Sequence, residues 1–142
     1  MAYNVLVVDD SASMRMVIKK TIRATGIDVK EFYESANGIE ALEALNTHWI
    51  DIILLDYNMP GMDGMEFLRE IKKDELLNTI PVVVMSVEGS RKRVDAFLEN
   101  GAAGYIKKPF TPETARDKLN KVLGVDPHGE EKSVTGDENL DF

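Results

Sequence analysis

Five side chains that could do chemistry each close a short, largely apolar run. Asp9 and Asp10 end "NVLVVDD", Asp56 ends "IILLD", Ser86 ends "VVVMS" and Lys108 ends "GYIKK". Singly, each has an ordinary reading. Aspartate is favoured at turns and ahead of helix N-termini, serine at strand ends, and lysine on solvated surface. Gathered at one place they specify something narrower. Two unit charges about 5 Å apart repel by roughly 3 kcal/mol at an effective dielectric near 20. Three acids in one crevice therefore require a cation, a proton or a lysine. Oxygen-only ligation without His or Cys suits Mg2+ better than zinc. Asp56, an anion at neutral pH, can attack phosphorus without a general base. A cation and Lys108 would neutralise the phosphoryl oxygens, and the Ser86 hydroxyl would donate to one of them. The product, an acyl phosphate, is labile to water and suits a transient mark.

That gathering depends on the elements carrying these residues. Strand patterns are expected near residues 4–8, 29–34, 50–56, 81–86 and 104–107, the third apolar enough to be buried on both faces. Helical spacing fills the gaps: Met14, Val17, Ile18 and Ile22; Ile39, Leu42 and Leu45; Met65, Leu68 and Ile71; Val94, Phe97 and Leu98; Leu119, Val122 and Leu123. Ser13 is a candidate N-cap for the first helix and Gly26 its C′ glycine. The last helix is the best marked, with Thr111 as N-cap, Pro112 at N1 and Gly124 beyond its end. Alternating strands and helices predict one parallel sheet covered on both faces. Right-handed crossovers then bring all strand C-terminal ends to one edge, where ligands bind near the reversal of strand order.

Composition narrows the classes. A chain of 142 residues, 44% hydrophobic, suits one domain with a real core. The absence of cysteine removes disulfides and thiolate metal sites and fits a reducing, cytoplasmic setting. No apolar run is long enough to span a membrane, and the first residues lack a signal-peptide pattern. The net charge of −8 divides unevenly, with −3 over residues 1–124 and −5 over residues 125–142. Nucleic-acid binding thus has no compositional support. Residues 125–142, rich in acid and breakers, read as a flexible tail, in which Leu140 and Phe142 among the acids are either part of a disordered stretch without function or a short docking motif. Trp49, the only tryptophan, is expected at the edge opposite the acids.

The elements "VVDD" (residues 7–10), "LLDYNMPGMDG" (54–64), "VVVMS" (82–86) and "GYIKKPF" (104–110) occur in order. Over about residues 3–124 the sequence resembles the receiver domain of two-component response regulators. The stand-alone chemotaxis type is nearest, through "DDSASMR" and "AAGYIKKPFTPETARDKLNKVLG". The resemblance implies a single flavodoxin-like α/β domain with strand order 2-1-3-4-5. It implies Asp56 as phosphoacceptor, charged by a histidine kinase, with Asp10, Asp56 and the backbone carbonyl of Asn58 on Mg2+ and Asp9 acting through water. Lys108 would pair with the phosphoryl group and be followed by a cis peptide to Pro109. Ser86 and Tyr105 would be the switch pair, and Asn58 and Glu88 would tune dephosphorylation. Output would pass through the fourth helix, fifth strand and fifth helix to a target protein, a flagellar motor switch being one candidate and a phosphatase another partner. A monomer is expected. The basic opening of the fourth helix, Arg91, Lys92 and Arg93, is either a solvated face or a dock for an acidic partner.

Other readings remain at this point. A haloacid-dehalogenase-like Mg2+ phosphohydrolase also uses a strand-end Asp but needs a second Asp where Asn58 stands. A nucleotide-binding protein of the same fold lacks a glycine-rich phosphate loop. A phosphorelay intermediate outside chemotaxis is the nearest alternative.

Overall fold

A computed structural model describes residues 2–57, 63–87 and 90–124. Asn58, Glu88 and the tail from residue 125 onward lie outside the described residues. Five strands alternate with five helices: β1 (Tyr3–Val8), α1 (Ala12–Ala24), β2 (Val29–Ser35), α2 (Gly38–Thr47), β3 (Ile52–Asp56), α3 (Gly64–Lys73), β4 (Val82–Ser86), α4 (Arg91–Glu99), β5 (Gly104–Lys107) and α5 (Pro112–Leu123). All strand pairs are parallel, in the order β2-β1-β3-β4-β5, a flavodoxin-like α/β fold. From β1 the chain moves outward to β2, then returns past β1 to β3. The reversal therefore falls between β1 and β3, where open parallel sheets leave a crevice at their carboxyl ends.

Two apolar layers hold the sheet. On one face Ile18 and Ile22 of α1 and Ala115 and Leu119 of α5 cover Val5, Val7, Leu54, Val83 and Met85. On the other, Ala41, Leu45, Phe67, Leu68, Ile71 and Phe97 cover Leu6, Val8, Leu55 and Val84. β3 and β4 are buried at every position, as their unbroken apolar runs require. Each large side chain so buried contributes about 1.5–3 kcal/mol.

Register carries the consequence for function. Val8 lies beside Leu55, Asp56 beside Met85, and Ser86 beside Lys107. The residues that end these strands therefore meet at one edge.

Several local expectations shift. The cap of α1 is Ser11, whose Oγ accepts from Met14 N–H at 3.2 Å; Ser13 sits inside the first turn and bonds Ser11 Oγ instead. Capping needs the side-chain oxygen two or three residues before the N–H it receives, and Ser13 is already helical. Val17, Ile39 and Leu98, expected inside, are exposed. A helix lying on a sheet buries a stripe narrower than its apolar positions allow, and Ile18, Ala41 and Phe97 occupy it.

Candidate metal centre

Asp9 directly follows β1, and Asp56 is the last residue of β3. Ligand oxygens of Asp9, Asp10 and Asp56 lie within 4.8 Å of one another. Asp9 and Asp56 are buried, whereas Asp10 faces solvent. Lys108 Nζ reaches across from the end of β5, 2.8 Å from Asp56 Oδ1 and 3.3 Å from Asp9 Oδ2. The backbone of Lys108 is itself tied to β4, its N–H donating to Ser86 O at 2.8 Å. The Lys108–Pro109 peptide is cis, as expected from the resemblance.

Electrostatics follow from this crowding. Burial pushes the Asp56 carboxyl above the ordinary range, and the charges of Asp9 and Asp10 add to it; Lys108 pulls the other way without cancelling the rise. For Lys108, burial works toward a lower value, but bonding to Asp56 and Asp9 wins and the ammonium is held more tightly than usual. One lysine among three acids leaves net negative charge in a cleft with oxygen donors only. That donor set fits a hard divalent cation such as Mg2+, as expected from the residue types.

Local structure explains how Asp56 is aimed. Gly64 opens α3 with its N–H on Tyr57 O at 2.9 Å. A Cβ at Gly64 would come 2.9 Å from Tyr57 Cα and 3.0 Å from Asp56 O, so only glycine lets the chain pass so close beneath the acid. Asp63 caps α3 through Glu66 N–H.

Ser86 ends β4 at this edge, buried, and its backbone oxygen accepts from Tyr105 Oη at 3.2 Å. Tyr105 is half-buried and stacks on Phe97, ring centroids 5.9 Å apart. Phe97 meets Tyr57 edge-on at 5.1 Å, and the Arg93 guanidinium lies over the Tyr57 ring at 4.6 Å while bonding its hydroxyl. Tyr57, beside Asp56, is thus joined through packed rings to α4 and β5.

The structure brings Asp9, Asp10, Asp56 and Lys108 into one cluster and sets Ser86 and Tyr105 in contact with each other on the adjoining strands. Asn58 and Glu88 lie outside the described residues. Two residues near this edge, Arg15 and Lys19, had no sequence signal, and a third, Arg93, allowed two readings. Arg93, read with its neighbours as either a solvated face or a dock for an acidic partner, turns inward to Tyr57, whereas Arg91 and Lys92 stay exposed. Arg15 donates to Asp9 O at 2.6 Å and to Glu34 Oε1 at 2.9 Å. Lys19 joins the other Glu34 oxygen at 2.6 Å. Bonds from Lys19 and Arg15 hold the Glu34 carboxyl below its usual range. No pattern of neighbouring residues announces pairs made between a helix and a distant part of the chain.

Comparison with known proteins agrees with this geometry. The family described as the response regulator receiver domain matches residues 5–120. The chain is 36% identical over 121 residues to the chemotaxis protein CheY1 of Helicobacter pylori, covering 84% of this chain and 96% of the relative. A CheY homolog of Campylobacter jejuni is equally similar, at 36% identity over 84% of this chain and 92% of its own. Among solved structures, the Vibrio cholerae chemotaxis protein CheY4 superposes with a TM-score of 0.76 at 32% identity, over 87% of this chain and all of that one (100%). The receiver domain of a Pseudomonas aeruginosa sensor histidine kinase gives 0.75 at 25% identity, over 87% and 99% of the two chains, and that protein holds a magnesium ion in its active-site cleft. A match along most of the chain, to proteins sharing the strand order that assembles these acids, leaves one conclusion: the chain belongs to the family of response regulator receiver domains.

Proposed function

We propose that this protein is a phosphorylation-controlled response regulator that accepts a phosphoryl group on Asp56 from a histidine kinase, with Mg2+, and changes its protein-binding surface in consequence. Receiver domains are signalling modules that partner with histidine kinases, not enzymes turning over a separate substrate, and family membership sets the phosphohydrolase reading aside. The observation carrying the proposal is the cluster of Asp9, Asp10 and Asp56 within 4.8 Å, with Lys108 on two of the three acids. Residues 1–124 form the receiver unit of the proposal, and residues 125–142 an acidic extension.

Asp10 and Asp56 would hold the cation directly and Asp9 through water, with the Asn58 carbonyl as a further ligand implied by the family. Bound there, it would supply positive charge to offset that of the phosphoryl oxygens. Asp56 then forms the O–P bond as the P–N bond of a phosphohistidine breaks, the electron pair leaving on the imidazole nitrogen. Lys108, already 2.8 Å from Asp56, neutralises a second oxygen, and the Ser86 hydroxyl donates to a third. Phosphorylation can shift only an equilibrium whose two states it binds differently. The contact of Tyr105 with Ser86, and the ring packing of Tyr105 on Phe97 of α4, support a switch read out on α4, β5 and α5. Asn58 and Glu88 would set how fast the acyl phosphate is lost. The chemotaxis relatives favour a chemotaxis or motility role in the cytoplasm. Among the described residues no helix is long and apolar enough to cross a membrane.

Intact-mass measurement after incubation with acetyl phosphate tests the reading. One labile adduct should form with Mg2+, and none without Mg2+ or in Asp56→Asn. An adduct that persists in Asp56→Asn would end the assignment.

A further inference from the structure

Asp9 is bonded at every polar atom it has. Its N–H donates to Ser35 O at 3.0 Å, Oδ1 accepts from Ser11 N–H at 2.9 Å, and Oδ2 accepts from Lys108 at 3.3 Å. Its backbone oxygen accepts from Arg15 Nη1 at 2.6 Å. Arg15 stands in the first turn of α1, one turn after the Ser11 cap, its N–H on Ser11 O at 2.9 Å. The Arg15 side chain is 16% exposed and bridges two elements, with Nε on Glu34 Oε1 at 2.9 Å. Glu34 lies on β2 beside Val7 of β1, and its second oxygen is taken by Lys19 at 2.6 Å. Lys19 and Arg15 are one helical turn apart, so α1 grips Glu34 with two cations. A continuous strut runs Lys19–Glu34–Arg15 to the peptide that joins Asp9 to Asp10.

We propose that Arg15, held by Glu34, is a positioning residue for divalent-cation binding: it fixes the Asp9–Asp10 peptide and so the aim of both carboxylates. The inference rests on the proposed cation site and adds to it a residue that touches neither the cation nor the phosphoryl group. Its signature is a sign. Removing a positive charge near three acids should, by Coulomb attraction alone, strengthen cation binding. Removing the partner that orients a ligand weakens it, by about 10–100-fold in well-studied metal sites. The two accounts of Arg15 therefore predict opposite results for one substitution.

Calorimetric titration of the full chain with MgCl2 decides between them. Arg15→Ala should bind Mg2+ about tenfold more weakly than the unaltered protein. Arg15→Lys keeps the charge but cannot bridge with a planar fork, so its affinity should fall between the two. Glu34→Gln should weaken binding in the unaltered background and change nothing in the Arg15→Ala background, because Glu34 acts through Arg15. Circular dichroism of each variant checks that the fold is retained; Arg15→Lys, the mildest change, keeps the test open if Arg15→Ala does not fold. Equal or tighter binding by Arg15→Ala overturns the inference. So do unaltered affinity in Arg15→Lys and a Glu34→Gln effect of the same size in both backgrounds. An unaltered protein that takes up no Mg2+ would instead sink the proposed site itself.

Discussion

Asp9 and Asp56 sit at the ends of adjacent strands, and Lys108 bonds both, yet the two halves of the cleft are held by different forces. On the β1–α1 side, directional hydrogen bonds reach all four polar atoms of Asp9. Beyond Asp56, the contacts are rings: Tyr57 on Phe97 and Phe97 on Tyr105, capped by Arg93. Hydrogen bonds weaken steeply with angle, so a fully bonded group has one geometry. Aromatic pairs are favourable over centroid separations of 4.5–7 Å and several tilts, so packed rings have neighbouring arrangements of similar energy. One half suits holding a cation. The other suits passing a displacement at Asp56 to the surface of α4 and β5.

The largest expected effect belongs to the acid that the cleft holds least comfortably. Burial raises the Asp56 carboxyl above its unfolded value, so ionising it costs more in the folded protein than in the unfolded chain. In metal-free buffer, ionised Asp56 then costs stability, a cost that grows as pH rises from the unfolded pKa to the folded one and stays constant above it. Asp56→Asn lacks that cost. Its urea midpoint should exceed that of the unaltered protein at neutral pH, and the gap should close near pH 3. Saturating Mg2+ should stabilise the unaltered protein more, by linkage, and narrow the gap from the other side. A metal-free Asp56→Asn midpoint at or below the unaltered one would erase the contrast between the two halves.

A smaller effect probes the ring side. Arg93→Ala removes a cation–π contact and a hydrogen bond and should lower stability by about 1 kcal/mol in urea unfolding. Arg91→Ala and Lys92→Ala, on exposed side chains of the same turn, should stay within about 0.5 kcal/mol of the unaltered protein. Equal effects at all three would return Arg93 to the exposed basic run of Arg91 and Lys92.

The smallest effect lies farthest away. Trp49 is 80% exposed before β3, its Nε1 donating to Asp51 at 3.1 Å. Seven residues at about 3.3 Å each, if fully extended, would put it about 23 Å from Asp56. Mg2+ should barely change tryptophan emission, and a strong quench would mean that the two edges of the sheet communicate.

Much of this was legible in the order of residues. Apolar runs closing on Asp56 and Ser86, caps at Thr111 and Gly124, and period-3.6 stripes through Ile18, Leu68 and Leu119 are relations among near neighbours, which local propensity and burial impose directly. The N-cap of α1 was misplaced by two residues because two serines compete there and only backbone conformation separates them: Ser11 is extended, Ser13 helical. Val17, Ile39 and Leu98 were misjudged for a related reason. Apolar spacing defines a helix face, and the sheet beneath selects which part of it is covered.

What the sequence determined by itself was the alternation of elements and the chemical type at each strand end, since both follow from patterns a few residues long. Long-range partners came from the folded arrangement alone: Arg15 with Glu34 across 19 positions, Arg93 with Tyr57 across 36, and Lys108 with Asp56 across 52. Such pairs depend on strand order and register, set by the packing of the whole sheet. The same packing turns four residues from three strand ends into one charged cleft.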